Sequence, residues 1–433
     1  MKKYSLTLAL TFLCSAVFSQ VQQQWVARYN SPDNGQDYAN AMALDLAGNA
    51  YITGWSFANA SDYDYATVKY NSSGVQQWAS RYTGPGTNVD KATCIAVDAS
   101  GNVYVTGWSF INSADCNFVT VKYNSSGAQQ WVAAYGGPGA GLDYAIGLGL
   151  DNAGNVYITG TSAGSGTGFD IATVKYNTNG VQQWTQRFHQ SYSKDTAYAI
   201  VVDGAGNACV AGWVYISGSN YDYVTIKYNT SGVQQWTATY DGPANSYDLA
   251  YNITCDPAGN VYTTGWSSGV GTGADYGTVK YNSSGVQQWV GRYAGPYTNG
   301  TDLGYSVKVD GSGNVYVTGL SWGSGSWQDY ATVKYNSSGV QQWVARYNGP
   351  ANNWEWAYQL TLDAASNVYV TGFSVGSGTD RDYATVKYNS SGVQQWVIRY
   401  DGPVNFIDEA KAIEIDTAGN VYVTGFSYGP GIN

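Results

Sequence analysis

Side chains able to do chemistry are scarce in this chain and unevenly placed. It holds one histidine, His189, and three glutamates, Glu355, Glu409 and Glu414. Nucleophilic catalysis needs a base held beside a serine or cysteine, and no Ser-His-Asp set or cysteine–histidine pair is spelled out. HExxH and a phosphate loop are missing too. Aspartate is plentiful, so an acid pair for polysaccharide hydrolase or lyase chemistry stays open, although no pair is singled out by its spacing.

One acidic series is periodic. Asp37, Asp90, Asp143, Asp195, Asp248, Asp302, Glu355 and Asp408 each stand where a short apolar run begins. Arranged about an axis, they would circle one mouth of a channel and offer oxygen ligands to a cation such as calcium; no other cofactor is expected. The competing reading is that each carboxylate caps backbone donors of the adjacent loop and sets the strand entry. Eight unpaired carboxylates at close range would repel, so most must be hydrogen-bonded or solvated. A second acidic series, in Asp-x-x-Gly-Asn stretches such as Asp98–Asn102, is read as turn chemistry, because Asp and Asn bond nearby backbone and Gly supplies the positive φ.

Aromatic residues divide similarly. Trp25, Trp78, Trp131, Trp184, Trp236, Trp289, Trp343 and Trp396 recur in register and are read as packing residues. Trp322, Trp327, Trp354 and Trp356 break the repeat and lie around Asn353 and Glu355. Flat aromatics beside amide and carboxylate groups suit a sugar-binding platform; a local packing cluster is the alternative. One variable loop, residues 188–195, holds His189, Tyr192 and Lys194 in place of the proline found in the other seven. His189 and Tyr192 join the candidate ligand-binding residues.

The elements that must position these residues come from the repeat. The eight QQW tryptophans are spaced 53, 53, 53, 52, 53, 54 and 53 residues apart. A fixed period of this length marks a repeat architecture whose units stack to bury their faces. Within one unit, TCIAVD, NVYVTG, FVTVKY and AQQWVAAY (residues 93–135) are four strand-like runs rich in Val, Thr, Tyr and Trp. Tight Asp-x-x-Gly-Asn and Asn-Ser-Ser-Gly turns join them on one side, and longer variable loops on the other. Variable loops on a rigid scaffold are where binding evolves.

Four antiparallel strands at this period make propeller blades. The order NVYVTG, then DYATVKYN, then QQWVARY resembles the bacterial SBBP β-propeller repeat family and, more distantly, NHL-type propellers. The resemblance runs over nearly the whole mature chain and implies an innermost strand first in each blade and a secreted or surface location. The expected fold is therefore all-β: an eight-bladed propeller in which the N-terminal strand, Gln22–Tyr29, closes the last blade, with seven blades as the alternative. One third strand of the DYATVKY type is missing after Gly425, so the chain reads as a module of a longer protein that would supply it.

Composition bounds the rest. Formal charge is −10, becoming −12 without Lys2 and Lys3, and there is no basic stripe to recruit nucleic acid. Residues 1–19 read as a signal peptide: Met1-Lys2-Lys3, then an apolar stretch to Phe18, with cleavage after Ser19. Residues 20–433 are the propeller, expected to be an exported, monomeric unit without a transmembrane segment. Cys94, Cys116, Cys209 and Cys255 lack CxxC spacing and are expected to be free thiols. The leading functional expectation is a non-catalytic propeller that binds carbohydrate or a cell-surface partner through its long-loop face. A rigid spacer in an envelope protein and a polysaccharide hydrolase or lyase are the alternatives.

Overall fold

A computed structural model describes residues 21–59, 62–86, 89–190, 194–216 and 220–429. The leader, residues 1–19, and Tyr192 lie outside the described residues. In the first unit Asp37–Leu44, Ala50–Asn59, Asp62–Tyr70 and Gln76–Tyr82 pair antiparallel in chain order. Later units repeat this pairing, so the four apolar runs of each period become the four strands of a blade. Inner strands of successive units pack side by side, and Asp37–Leu44 packs against Asp408–Ile415 and Val421–Ser427. Among the described residues no helix is long and apolar enough to cross a membrane.

The blade count corrects the expectation of eight, and its alternative of seven. Among the described residues 30 strands assemble into five separate four-stranded blades, one eight-stranded sheet and one two-stranded sheet. The eight-stranded sheet forms because Gly273 and Ala274 pair in parallel with Gly300 and Thr301, which fuses two units along their edges. N-terminal strand closure fails as well. Residues 22–29 adopt no strand, and Asp408–Ile415 with Val421–Ser427 remains a two-stranded ribbon. A strand needs a backbone partner about 4.8 Å away, and among the described residues no third strand stands between Val421–Ser427 and residues 22–29.

Each inner strand carries a one-residue bulge opposite a glycine of the second strand; in one unit the register shifts between Ala357 and Gln359. Gly372 is required there, since a Cβ on it would lie 1.8 Å from the Trp356 carbonyl oxygen. The Asp-x-x-Gly-Asn turns are wired as their chemistry suggests. Asp98 Oδ1 accepts from the Ser100 and Asn102 N–H groups, and Oδ2 accepts from the Asn102 side chain and the Tyr104 hydroxyl. Burial alone would raise this carboxyl, but those hydrogen bonds outweigh it and hold the group below the usual carboxylate range.

Neighbouring units are stapled by three recurring contacts. Trp78 Nε1 donates to the Ser125 carbonyl in the next unit's outer turn, at 3.1 Å. Trp25, Trp131, Trp184, Trp236, Trp289 and Trp343 do the same. The third-strand lysines Lys69, Lys122, Lys175, Lys280 and Lys334 reach the same turn carbonyls. The buried hydroxyls of Tyr65, Tyr223, Tyr276 and Tyr330 donate to a third-strand carbonyl one unit on.

Within a unit, an outer-strand arginine ties the second and third strands together. Arg187 donates to Ser162 Oγ, the Ser162 carbonyl, Tyr135 Oη and Asp170 Oδ2. Arg81, Arg292, Arg346 and Arg399 make the matching ion pairs with Asp64, Asp275, Asp329 and Asp382. All four mature cysteines are free thiols, as expected.

Candidate functional site

The aromatics that break the repeat converge on the variable loops. Trp322 ends the strand Val315–Trp322, Trp327 closes the following turn, and Trp354 lies in the loop before Glu355–Leu362. Ring centroids are 5.5 Å apart for Trp322 and Trp327, and 6.3 Å for Trp327 and Trp354. Tyr297, 5.6 Å from Trp322, extends the group. Trp327, Trp354 and Tyr297 remain 50%, 42% and 50% exposed, which is unusual for such large rings held in contact.

The loops carrying them are pinned. Gly323 N–H donates to the Trp327 carbonyl at 2.8 Å, and Val375 N–H to the Trp354 carbonyl at 3.2 Å. Asn352, at φ +51°, donates from its side chain to the Gly325 carbonyl at 3.0 Å and so ties the two loops together. Asn348 donates to Asn352 in turn. Asn353 is exposed beside Trp354. The result is a preformed aromatic patch with amides at its margin.

Two of the candidates turn inward. Trp356 is half-buried, stacked on Phe373 at 5.6 Å and bonded through its indole N–H to Gln328 Oε1. Glu355 is fully buried, accepts from Ser374 Oγ, and is pushed up to about 8, chiefly by burial. It is held within the blade and does not face the patch. His189 belongs to a different loop, with Nδ1 3.9 Å from Asp170 Oδ1.

The periodic aspartates serve as caps. Asp37, Asp90, Asp143, Asp195, Asp248, Asp302 and Asp408 each accept a backbone N–H from the preceding loop at 2.6–2.8 Å. Asp143, Asp195 and Asp302 accept a second backbone N–H with the other oxygen. The structure gathers two ring members not with one another but with acids of the preceding unit and its outgoing loop. Asp248 meets Asp222 and Asp241, and Asp408 meets Asp382 and Asp401, with carboxylate oxygens within 4.8 Å of one another in each group. Asp382 is neutralised by Arg399. Thr239, paired with Val224, stands where other units have the arginine that reaches this aspartate, and the buried Oδ1 of Asp222 has no hydrogen-bond partner.

Sequence reasoning missed two further aromatic arrangements. Lys194, Trp213, Tyr221, Tyr247, Leu249 and Trp266 line a pocket of about 350 Å³. Tyr198, Tyr251, Tyr305 and Tyr358 form a file with centroids 5.3, 5.6 and 6.2 Å apart, capped by Lys411 Nζ 4.0 Å from the Tyr358 ring. These residues stand three after the periodic acid, at the bulge, so the signal was a fixed offset from a motif already in view.

Fold and site together define a repeat β-propeller whose loop face carries aromatic patches. The SBBP beta-propeller repeat model matches residues 24–59, 77–112 and 130–166, so this N-terminal part of the chain is similar to SBBP-type repeats. No curated protein matches the sequence. Similar solved structures include a protein of unknown function from Bacteroides caccae, 12% identical over 70% of this chain and 97% of that one, with a TM-score of 0.38. A eukaryotic initiation factor is 8% identical over 86% of this chain and 91% of its own, at 0.42. A gluconolactonase from Xanthomonas campestris is 14% identical over 52% and 68%, at 0.30. At these scores none bears on what this chain binds or does.

Proposed function

We propose that this is an exported, non-catalytic binding propeller that recognises carbohydrate through the patch formed by Tyr297, Trp322, Trp327 and Trp354. The observation that carries the reading is the pair of exposed indoles, Trp327 and Trp354, held 6.3 Å apart on loops of adjoining units. The apolar face of a pyranose ring stacks on such rings while its hydroxyls bond to amides at the rim, here Asn352 and Asn353. A sugar suits the site better than a protein surface because the patch is small, its rings are flat and exposed, and it is bordered by glycine and asparagine. The pinned loops favour the same reading, because ordering costs are met before the ligand arrives.

Glycan-array screening followed by calorimetry on the best ligand tests this. Trp327→Ala and Trp354→Ala should each weaken binding at least tenfold, the scale of losing a buried aromatic anchor. Trp356→Phe, on a ring that packs inward, should leave it within about twofold. Undiminished glycan binding by both alanine variants refutes the site.

A further inference from the structure

The latch formed by an outer-strand arginine and a third-strand aspartate neutralises a buried acid in most units. Asp64, Asp170, Asp275, Asp329 and Asp382 each lie 2.7–3.1 Å from the arginine of their own unit. One unit has Ala134 for the arginine and Asn117 for the acid, so neither charge is present. Another keeps the acid without the cation: Asp222 remains, while Thr239 stands in the arginine position. The serine that accepts from the guanidinium elsewhere, as Ser162 does from Arg187, is here Val214.

What surrounds Asp222 instead is negative. Asp222, Asp241 and Asp248 bring carboxylate oxygens within 4.8 Å of one another. Asp222 is 6% exposed, its buried Oδ1 has no hydrogen-bond partner, and it accepts no hydrogen bond from any described residue. A carboxylate taken out of water in that state is costly, because neither a donor nor a counter-ion offsets its lost hydration. Asp248 is fully buried, with Oδ2 held by the Gly242 N–H at 2.8 Å, and Asp241 is exposed, which leaves a path from solvent. Arg292 bonds to Tyr240 Oη, Ser267 and Asp275, and so completes the latch of the next unit. A second triad, Asp382, Asp401 and Asp408, is gathered at the same offsets along the chain. There Arg399 supplies the cation, 2.7 Å from Asp382.

We propose that Asp222, Asp241 and Asp248 form a binding site for one calcium ion, which takes the place that a guanidinium fills in the five latched units. The ligand set is all oxygen, as a hard cation requires, and oxygens up to 4.8 Å apart fit around an ion that holds each at about 2.4 Å. Two buried carboxylates and one exposed carboxylate on a loop suit calcium, which accepts irregular geometry and water as further ligands. Magnesium, which demands a near-ideal octahedron, fits them less well. The two kinds of cation tie different elements together. An arginine joins strands within its unit, whereas this ion bridges Asn220–Tyr228, the loop at Asp241 and the inner strand Asp248–Cys255 of the following unit. The site is a cross-link between neighbouring units, and it uses only Asp248 of the periodic acids.

Calcium titrated calorimetrically into the EDTA-stripped full chain tests the proposal. One saturable site is expected, with a dissociation constant below about 1 mM, together with a calcium-dependent rise in the thermal midpoint. Asp222→Asn and Asp241→Asn should each weaken binding at least tenfold. Thr239→Arg should do the same without removing a ligand, because it restores the guanidinium. All three relieve the repulsion among the carboxylates and are expected to fold, so a lost calcium response cannot be laid to unfolding. Asp401→Asn, in the triad that already holds Arg399, should leave binding within about twofold. Absence of saturable binding by wild type at millimolar calcium overturns the proposal. So does undiminished binding by either Asp222→Asn or Thr239→Arg, which puts the ion elsewhere. A comparable loss in Asp401→Asn overturns it too, since a triad with its arginine would then bind calcium as well. The pH dependence of Asp222 is measured on the apoprotein, in EDTA.

Discussion

Replacing Asp222 by asparagine should stabilise the protein in mildly alkaline solution and do little at pH 3. Asp222 is only 6% exposed, and Thr239 stands where five other units place the arginine that neutralises this aspartate. Burial, and then the charges of Asp241 and Asp248, push its carboxyl up to about 7 from 3.8. Arg292, which acts on the neighbouring Asp248, is committed to Asp275. The folded state therefore keeps a proton that the unfolded chain releases near pH 4. Between those two pH values the folded state binds more protons, so stability falls as pH rises and levels off above about pH 7. A rise from 3.8 to about 7 integrates to about 4 kcal/mol at 1.36 kcal/mol per pH unit. Water reaching the exposed Asp241 raises the effective dielectric and brings the expected penalty nearer 2 kcal/mol. Urea unfolding of wild type, Asp222→Asn and Thr239→Arg at pH 3 and pH 8.5 measures it. Both variants should gain about 2 kcal/mol over wild type at pH 8.5, and Asp222→Asn should gain nothing at pH 3, where the carboxyl is protonated in both states. Equal gains at both pH values would mean that packing, not charge, is what the substitution relieves, and the reasoning would fail.

Two further substitutions probe the scaffold. Gly372→Ala should cost at least about 3 kcal/mol, because a Cβ 1.8 Å from the Trp356 carbonyl oxygen forces backbone movement at the bulge; an unchanged thermal midpoint would refute that placement. Trp289→Ala removes a half-buried ring packed on Tyr262 and Tyr335 and its bond to the Ser337 carbonyl, for about 2–4 kcal/mol. Because repeat units are stabilised by their nearest neighbours, amide exchange should quicken in the two flanking units before it does across the ring.

What the sequence revealed and what it hid follow from the range of the interactions involved. The Asp98 turn, the packing tryptophans and the capping role of Asp143 depend on groups a few residues or one period apart, so repetition alone exposed them. Blade number depends instead on which edges find partners. The parallel pairing of Gly273 with Gly300 concerns a loop path that no repeated word encodes. The same limit governed the aromatic patch. Trp322, Trp327 and Trp354 stood out as departures from the period, but Tyr297 joined them only through the course of its loop. Glu355, counted both in the periodic series and beside the aromatic platform, is the buried counterpart of the capping aspartates.

The outer-strand latch shows how the departures from a repeat carry the most information. Where Ala134 replaces the arginine, the third strand offers Asn117, and no charge is stranded. Where Thr239 replaces it, Asp222 is kept and sits unneutralised beside Asp241 and Asp248. At Arg28 the cation and its serine and tyrosine partners are assembled as they are at Arg187. One latch, altered at Thr239 while its acid is kept, thus accounts for a pH-dependent weakness confined to one unit, and Arg28→Ala, at the far side of the repeat array, should leave that alkaline instability in place.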